Sequence, residues 1–72
     1  PLIGNALTIE LENSESSEVN IQIFDLTGRL VFTQTEQLIS GKIILNLANI
    51  SNGTFLVRVN DGTKIYDSKI IK

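Results

Sequence analysis

The chain has 72 residues and contains no cysteine, histidine, methionine or tryptophan. At this length one domain is expected, and folding buries only about 60% of the surface that the unfolded chain exposes. Eight acidic and six basic residues give a net charge of −2, which argues against nucleic-acid binding because that needs a basic surface. The apolar runs are far shorter than the roughly 20 residues of a transmembrane helix.

Alternation of apolar and polar residues predicts the first two strands. Residues 7–11 alternate with the period of a strand that has one buried face. Residues 13–18 contain no apolar side chain and predict an exposed loop. Residues 19–23 alternate again, and Phe24 breaks the pattern at a place that suits a β-bulge or a contact with a neighbouring element.

A short polar break then predicts a β-hairpin. Residues 25–28 combine an aspartate that can bond the backbone with a glycine that can adopt a positive φ. Residues 29–35 follow as the return strand, and simple alternation places Leu30 and Phe32 on one face and Val31 on the other.

The middle of the chain predicts a loop, a strand and a turn. Residues 34–41 predict a loop, in which the apolar residues 38–39 anchor the chain to the core. Residues 43–47 alternate as a further strand. Residues 48–53 predict a tight turn, because an asparagine followed by Gly53 is a strong signal for chain reversal.

The last part of the chain predicts a second hairpin. Residues 54–59 alternate, residues 60–62 carry the turn signal, and residues 63–71 form the return strand. Lys69 and Lys72 flank the terminal isoleucines, and lysine near a sheet edge also limits strand-to-strand aggregation.

These elements predict an all-β fold. Six strands with regular turns and no helical periodicity indicate an antiparallel sandwich or a small barrel. Several strands have one apolar face. Two packed sheets bury these faces, whereas one open sheet would leave them exposed to water. We therefore predict a small antiparallel β-sandwich of about six to seven strands.

The residue types argue against an enzyme. Without histidine or cysteine the chain lacks the commonest general base, thiol nucleophile and zinc ligands. Carboxylate pairs for glycoside hydrolysis would lie on wet strand faces of a chain too small to enclose a sugar ring. Asp25, Asp61 and Asp67 could offer oxygen ligands to calcium, but their spacing matches no coordinating loop. We predict no catalytic residue, no metal site and no cofactor.

The aromatic side chains leave one alternative open. Phe32 and Phe55 lie in phase with apolar neighbours and are expected in the core. Tyr66 and, as second choice, Phe24 could stack on a sugar. A structural or carbohydrate-binding module of an extracellular enzyme, or a permanent spacer, therefore stays possible on the residues alone.

Three stretches in fixed order resemble a known family: residues 19–31 (VNIQIFDLTGRLV), residues 47–59 (LANISNGTFLVRV) and residues 69–72 (KIIK). Together they resemble the C-terminal sorting domain, type A, of the type IX (Por) secretion system of Bacteroidetes. Residues 1–9 are similar to the tail of that family's opening motif, so the resemblance covers essentially the whole chain.

The resemblance implies an immunoglobulin-like sandwich that acts as an export signal. Such a domain follows a covalently linked N-terminal cargo and is read by the type IX outer-membrane translocon after passage through the periplasm. A sortase then usually removes it, and the cargo stays at the cell surface or is released. Since the sequence begins at Pro1 and not at methionine, we expect residues 1–72 to be a single sorting domain cut from a longer secreted protein.

The resemblance also implies recognition residues. Gly28 and Val31 match the family's glycine-x-x-valine motif, Gly53 its second turn glycine and Lys72 its basic terminal residue, while Phe55 stands where the family often has tyrosine. We expect a receptor to use the hairpin surface and the edge and terminal lysine of the last strand, where backbone pairing is available. The predicted recognition residues are Gly28, Val31, Gly53, Lys69, Ile70, Ile71 and Lys72.

Overall fold

A computed structural model describes residues 2–11, 18–37 and 41–72, and within these ranges the chain forms seven strands and no helix. The first strand was not predicted from the sequence. The strands are β1 (Leu2–Ile3), β2 (Ala6–Glu10), β3 (Glu18–Phe24), β4 (Leu30–Gln37), β5 (Lys42–Asn46), β6 (Thr54–Asn60) and β7 (Ile65–Ile71). The described ranges contain no helix that could cross a membrane.

The strands form two antiparallel sheets that share one core. Strand order is β1-β2-β5 in the three-stranded sheet and β4-β3-β6-β7 in the four-stranded sheet. The predicted small immunoglobulin-like sandwich is confirmed. Buried side chains from both sheets make up the core: Leu7, Leu11, Val19, Ile21, Ile23, Ile43, Leu45, Leu47, Phe55, Val57 and Val59.

The two central strands show why the alternating pattern folds this way. Val19, Ile21 and Ile23 on β3 are each at most 1% exposed, whereas the residues between them reach the outer face. Burying one such aliphatic side chain stabilises the fold by about 1.5–3 kcal/mol. Strand β6 alternates in the same way and pairs with β3, so these two strands form the centre of the larger sheet.

The prediction for residues 48–53 is wrong in one respect, because this segment does not reverse the chain within a sheet. Strand β5 belongs to the three-stranded sheet and β6 to the four-stranded sheet, so the segment crosses from one layer to the other. The Ile50 N–H donates to the Leu47 carbonyl at 3.1 Å. Gly53 then pairs with Lys72 through two backbone hydrogen bonds of 3.0 and 2.7 Å.

Two strand boundaries differ from the prediction by two residues, and the others that differ do so by one. Strand β4 continues to Gln37, because backbone pairing with β3 extends to the Glu18–Gln37 pair even though the side chains there are polar. Strand β7 starts at Ile65 and not at residue 63, since Lys64 still belongs to the hairpin loop. The loop predicted at residues 13–18, apart from its last residue, and the anchor at residues 38–39 lie outside the described ranges.

Candidate recognition surface

Gly28 lies in the loop of residues 25–29 that connects β3 to β4 in the first hairpin. Its N–H donates to the Asp25 carbonyl at 3.0 Å, and the Asp25 N–H donates to the Arg29 carbonyl at 2.9 Å. Gly28 has φ +89°, a conformation that side chains disfavour, while no heavy atom of the described residues lies within 4 Å of where its Cβ would stand. The loop therefore needs glycine for its backbone conformation and not for close packing.

The Asp25 carboxylate holds this loop together. Its Oδ1 accepts hydrogen bonds from the Thr27 N–H at 3.0 Å, the Thr27 hydroxyl at 2.6 Å and the Arg29 N–H at 2.9 Å. The Arg29 Nε lies 3.2 Å from Oδ2. The Thr27 hydroxyl bond and the Arg29 backbone bond lower the pKa of Asp25, so the carboxylate is ionised and engaged within the loop at neutral pH.

Val31 occupies a β-bulge directly after the hairpin loop. Ile23 pairs with Phe32 while Phe24 pairs with Leu30, so Val31 is the extra residue on β4. The prediction that Leu30 and Phe32 share a face is therefore wrong. The bulge turns Leu30 outward to 44% exposure and leaves both Val31 and Phe32 packed against the core.

A surface groove of about 450 Å³ lies beside the hairpin loop on the outer face of the larger sheet. Phe24 pairs with Leu56 on β6, and Leu56 pairs with Lys69 on β7, which places these side chains in one row across three strands. We call this site the hairpin groove. It is lined by Phe24, Asp25, Leu26, Gly28, Phe55, Leu56, Arg58 and Lys69.

The charged side chains at the hairpin groove differ in whether they form ion pairs. Arg58 donates to both carboxylate oxygens of Asp67, at 2.9 and 3.2 Å, and its guanidinium lies 5.8 Å from the centre of the Phe24 ring. The hydrogen bond raises the pKa of Arg58 and lowers the pKa of Asp67. Ion pairs among the described residues join Arg29 to Asp25, Lys42 to Glu10 and Arg58 to Asp67, and Lys69 takes part in none of them.

The last strand lies at the edge of the larger sheet. Within the described ranges β7 pairs with β6 alone. Ile70 packs against the core, whereas Ile71 is 71% exposed on the outer face.

Lys72 turns inward to the crossover between the sheets. Its Nζ donates to the Leu47 carbonyl at 2.7 Å and also to the Ile50 carbonyl. With the backbone pair to Gly53, this fastens the end of the chain to the segment that joins β5 to β6. The ammonium of Lys72 thus has two partners inside the domain.

The predicted recognition residues therefore do not form one cluster. Gly28 and Lys69 line the hairpin groove, Val31 forms the adjacent bulge, and Gly53 and Lys72 meet at the crossover. Ile70 and Ile71 lie on opposite faces of the edge strand.

The four aromatic residues lie in different places, and the two considered for sugar stacking, Tyr66 and Phe24, line separate grooves. Phe55 is 5% exposed, as expected of a core residue, and Phe32 packs on the core from a half-buried position. Tyr66 is half-buried and lines a second groove of about 880 Å³ between β2 and β7. Phe24 lies in the hairpin groove under Arg58.

Sequence reasoning missed Leu56 and Arg58 as site residues. A signal for them was present, because the Asp61–Lys64 turn sets the register of the second hairpin. Counting outward from that turn pairs Arg58 with Asp67 and Leu56 with Lys69, as the structure has them.

The sequence profile of the family described as "Secretion system C-terminal sorting domain" matches residues 3–72. No curated protein and no solved structure matches the chain. The profile covers nearly all residues, and the two-sheet sandwich agrees with the fold that the resemblance implied. The chain thus belongs to the secretion system C-terminal sorting domains, the sorting signals of type IX secretion.

Proposed function

We propose that this domain is the C-terminal signal that carries a covalently attached N-terminal cargo through the type IX outer-membrane translocon. The family match over residues 3–72 is the observation that carries this proposal. The cargo passes through the periplasm and reaches the cell surface or the medium, and a sortase removes the domain on the way.

We expect a receptor to read the Gly28 loop, the edge of β7 and the side chain of Lys69. The Gly28 loop is held by three hydrogen bonds that the Asp25 Oδ1 accepts from Thr27 and Arg29. The edge of β7 offers backbone groups for strand pairing. Since Lys72 bonds the crossover, its contribution is to hold β7 in place, whereas Lys69 points to the outer face.

A cargo fusion tests the proposal. The 72-residue domain is placed after a fluorescent protein that carries a signal peptide, in a bacterium with type IX secretion, and the cargo is quantified in periplasm, cell surface and medium. We expect export with the domain and periplasmic retention without it. Retention of the fused cargo in the periplasm would contradict the function.

The loop glycine allows a matched pair of variants in the same assay. Asparagine tolerates a positive φ and valine does not, so Gly28→Asn should retain more export than Gly28→Val if the glycine acts through loop shape. Intact mass of the exported cargo tests the sortase step, because an exported cargo that keeps the whole domain would contradict removal.

The alternative is a structural or carbohydrate-binding module. Tyr66 is the residue on which it depends, since its ring lines the larger groove. The sorting proposal predicts no affinity for polysaccharides. Polysaccharide binding that is lost in Tyr66→Ala would favour the alternative.

A further inference from the structure

We propose that the hairpin groove docks an extended segment of the secretion machinery that carries an aliphatic side chain and a carboxylate two residues apart. The proposal rests on the proposed function and adds the place and the chemistry of recognition.

The apolar part of the groove supplies the first half of this specificity. Phe24, Leu26 and Leu56 line it, and Leu26 is 76% exposed although it is a leucine. Leu30, the outward-turned residue beside the bulge, extends the apolar surface on the far side of Phe24. Covering such side chains stabilises a complex in proportion to the apolar area removed from water.

The charges supply the second half. Asp25, which lines the groove, is paired with Arg29, and the lining residue Arg58 is paired with Asp67. Lys69 stands outside the ion pairs of the described residues and leaves one positive charge in excess. In a chain whose net charge is −2, this local excess favours a partner with a carboxylate.

The size of the groove limits the partner to a chain segment. About 450 Å³ accommodates a few side chains and not a folded element. Lys69 lies one strand from Leu56 and two strands from Phe24, and strands are spaced by about 4.8 Å. In an extended peptide, side chains two residues apart point the same way and lie roughly 7 Å from each other, which is between the one-strand spacing of about 5 Å and the two-strand spacing of about 10 Å.

Titration followed by NMR of the 15N-labelled 72-residue chain tests the inference in solution. The probe is the peptide acetyl-Ser-Leu-Ser-Glu-Ser-amide, and the controls carry lysine in place of glutamate or serine in place of leucine. We expect saturable shifts of the Phe24, Gly28, Leu56 and Lys69 amides with the glutamate peptide alone, weaker at high salt. Equal shifts with the lysine peptide, no saturable shift up to millimolar peptide, or shifts confined to β2 would overturn the proposal.

Two lysines that differ in position provide the matched variants. Lys69→Gln should weaken binding of the glutamate peptide about tenfold, the loss typical of a charged hydrogen-bonding partner. Lys64→Gln changes an exposed lysine of the second hairpin loop and should leave binding unchanged. Equal effects of the two variants would show a general charge effect and overturn the assigned site.

The cargo fusion separates this inference from the proposed function. If the wild-type fusion is exported and Lys69→Gln and Leu26→Ser fusions are exported equally well, the docking site is wrong and the sorting function stands. If the wild-type fusion is retained, the sorting function fails, and the peptide titration still decides whether the groove binds a carboxylate segment.

Discussion

Gly28 and Gly53, the two glycines predicted to be recognition residues, lie in backbone segments that are held in different ways. The Gly28 loop is closed by hydrogen bonds between residues no more than four positions apart. Gly53 has φ +153° and is held by Lys72, nineteen residues away, and the Phe55 ring lies 3.7 Å from where a Gly53 Cβ would stand. Glycine thus occurs in this chain both in a local loop and at a junction between distant parts of the sequence.

The difference has a consequence for stability. The Gly28 loop is held by local hydrogen bonds, whereas the Gly53–Lys72 hydrogen bonds continue the pairing of β6 with β7. Changes at the junction should therefore affect the global unfolding of the domain, and changes in the loop should affect mainly the hairpin.

Removing the aromatic support of the junction should have the largest effect. Phe55 is buried beside Gly53, so Phe55→Ala should lower the free energy of unfolding by about 3–5 kcal/mol through lost burial and a cavity. Urea denaturation measures this loss. Phe24→Ala, on the half-exposed outer face, is the control and should cost clearly less. Similar losses for both would contradict the assignment of Phe55 to the core.

Breaking the Lys72 contact should have an intermediate effect. Lys72→Met keeps the aliphatic stem but removes the donor to the Leu47 and Ile50 carbonyls, and should lower the free energy of unfolding by about 1.5–3 kcal/mol. Hydrogen exchange should speed up at the Gly53 amide and not at the Gly28 amide.

Lys69 supplies the control for this comparison, because Lys69→Met removes an outward-facing lysine of β7 that lies three residues before Lys72. It should change stability by no more than about 0.5 kcal/mol, as is usual for surface positions. Equal destabilisation by the two variants would mean that the Lys72 ammonium does not hold the crossover.

Low pH should have the smallest effect on stability, and it should act through Asp25 in the Gly28 loop. The folded pKa of Asp25 lies below its ordinary value of 3.8, mainly because the Thr27 hydroxyl bonds the carboxylate. Its stabilisation is therefore complete above that value and is lost as the pH falls through the lower folded pKa. Unfolding measured from neutral pH to about pH 2 should be less pH-dependent in Asp25→Asn than in the wild type. An unchanged profile would show that the loop contributes nothing to acid sensitivity.

Some of the recognition surface followed from local sequence. The Asp25 to Gly28 loop is a short-range signal, and Gly28 and Lys69 entered as candidates through the family resemblance. Leu26 and Leu56 did not, because the groove also depends on the register of β3 against β6, which no turn in the sequence specifies. The inward turn of Lys72 was likewise absent from the sequence, since its partners are backbone carbonyls more than twenty residues away.

By itself, the sequence determined the all-β class, the alternating faces of the central strands and the two hairpins, because these depend on side chains two residues apart and on turn residues within a few positions. The tertiary structure alone decided that residues 48–53 cross between sheets, that β4 runs on to Gln37 and that Val31 is the bulged residue. The physical reason is that partner choice and register are set by the burial of whole faces and by backbone pairing over long chain separations. No local pattern specifies these.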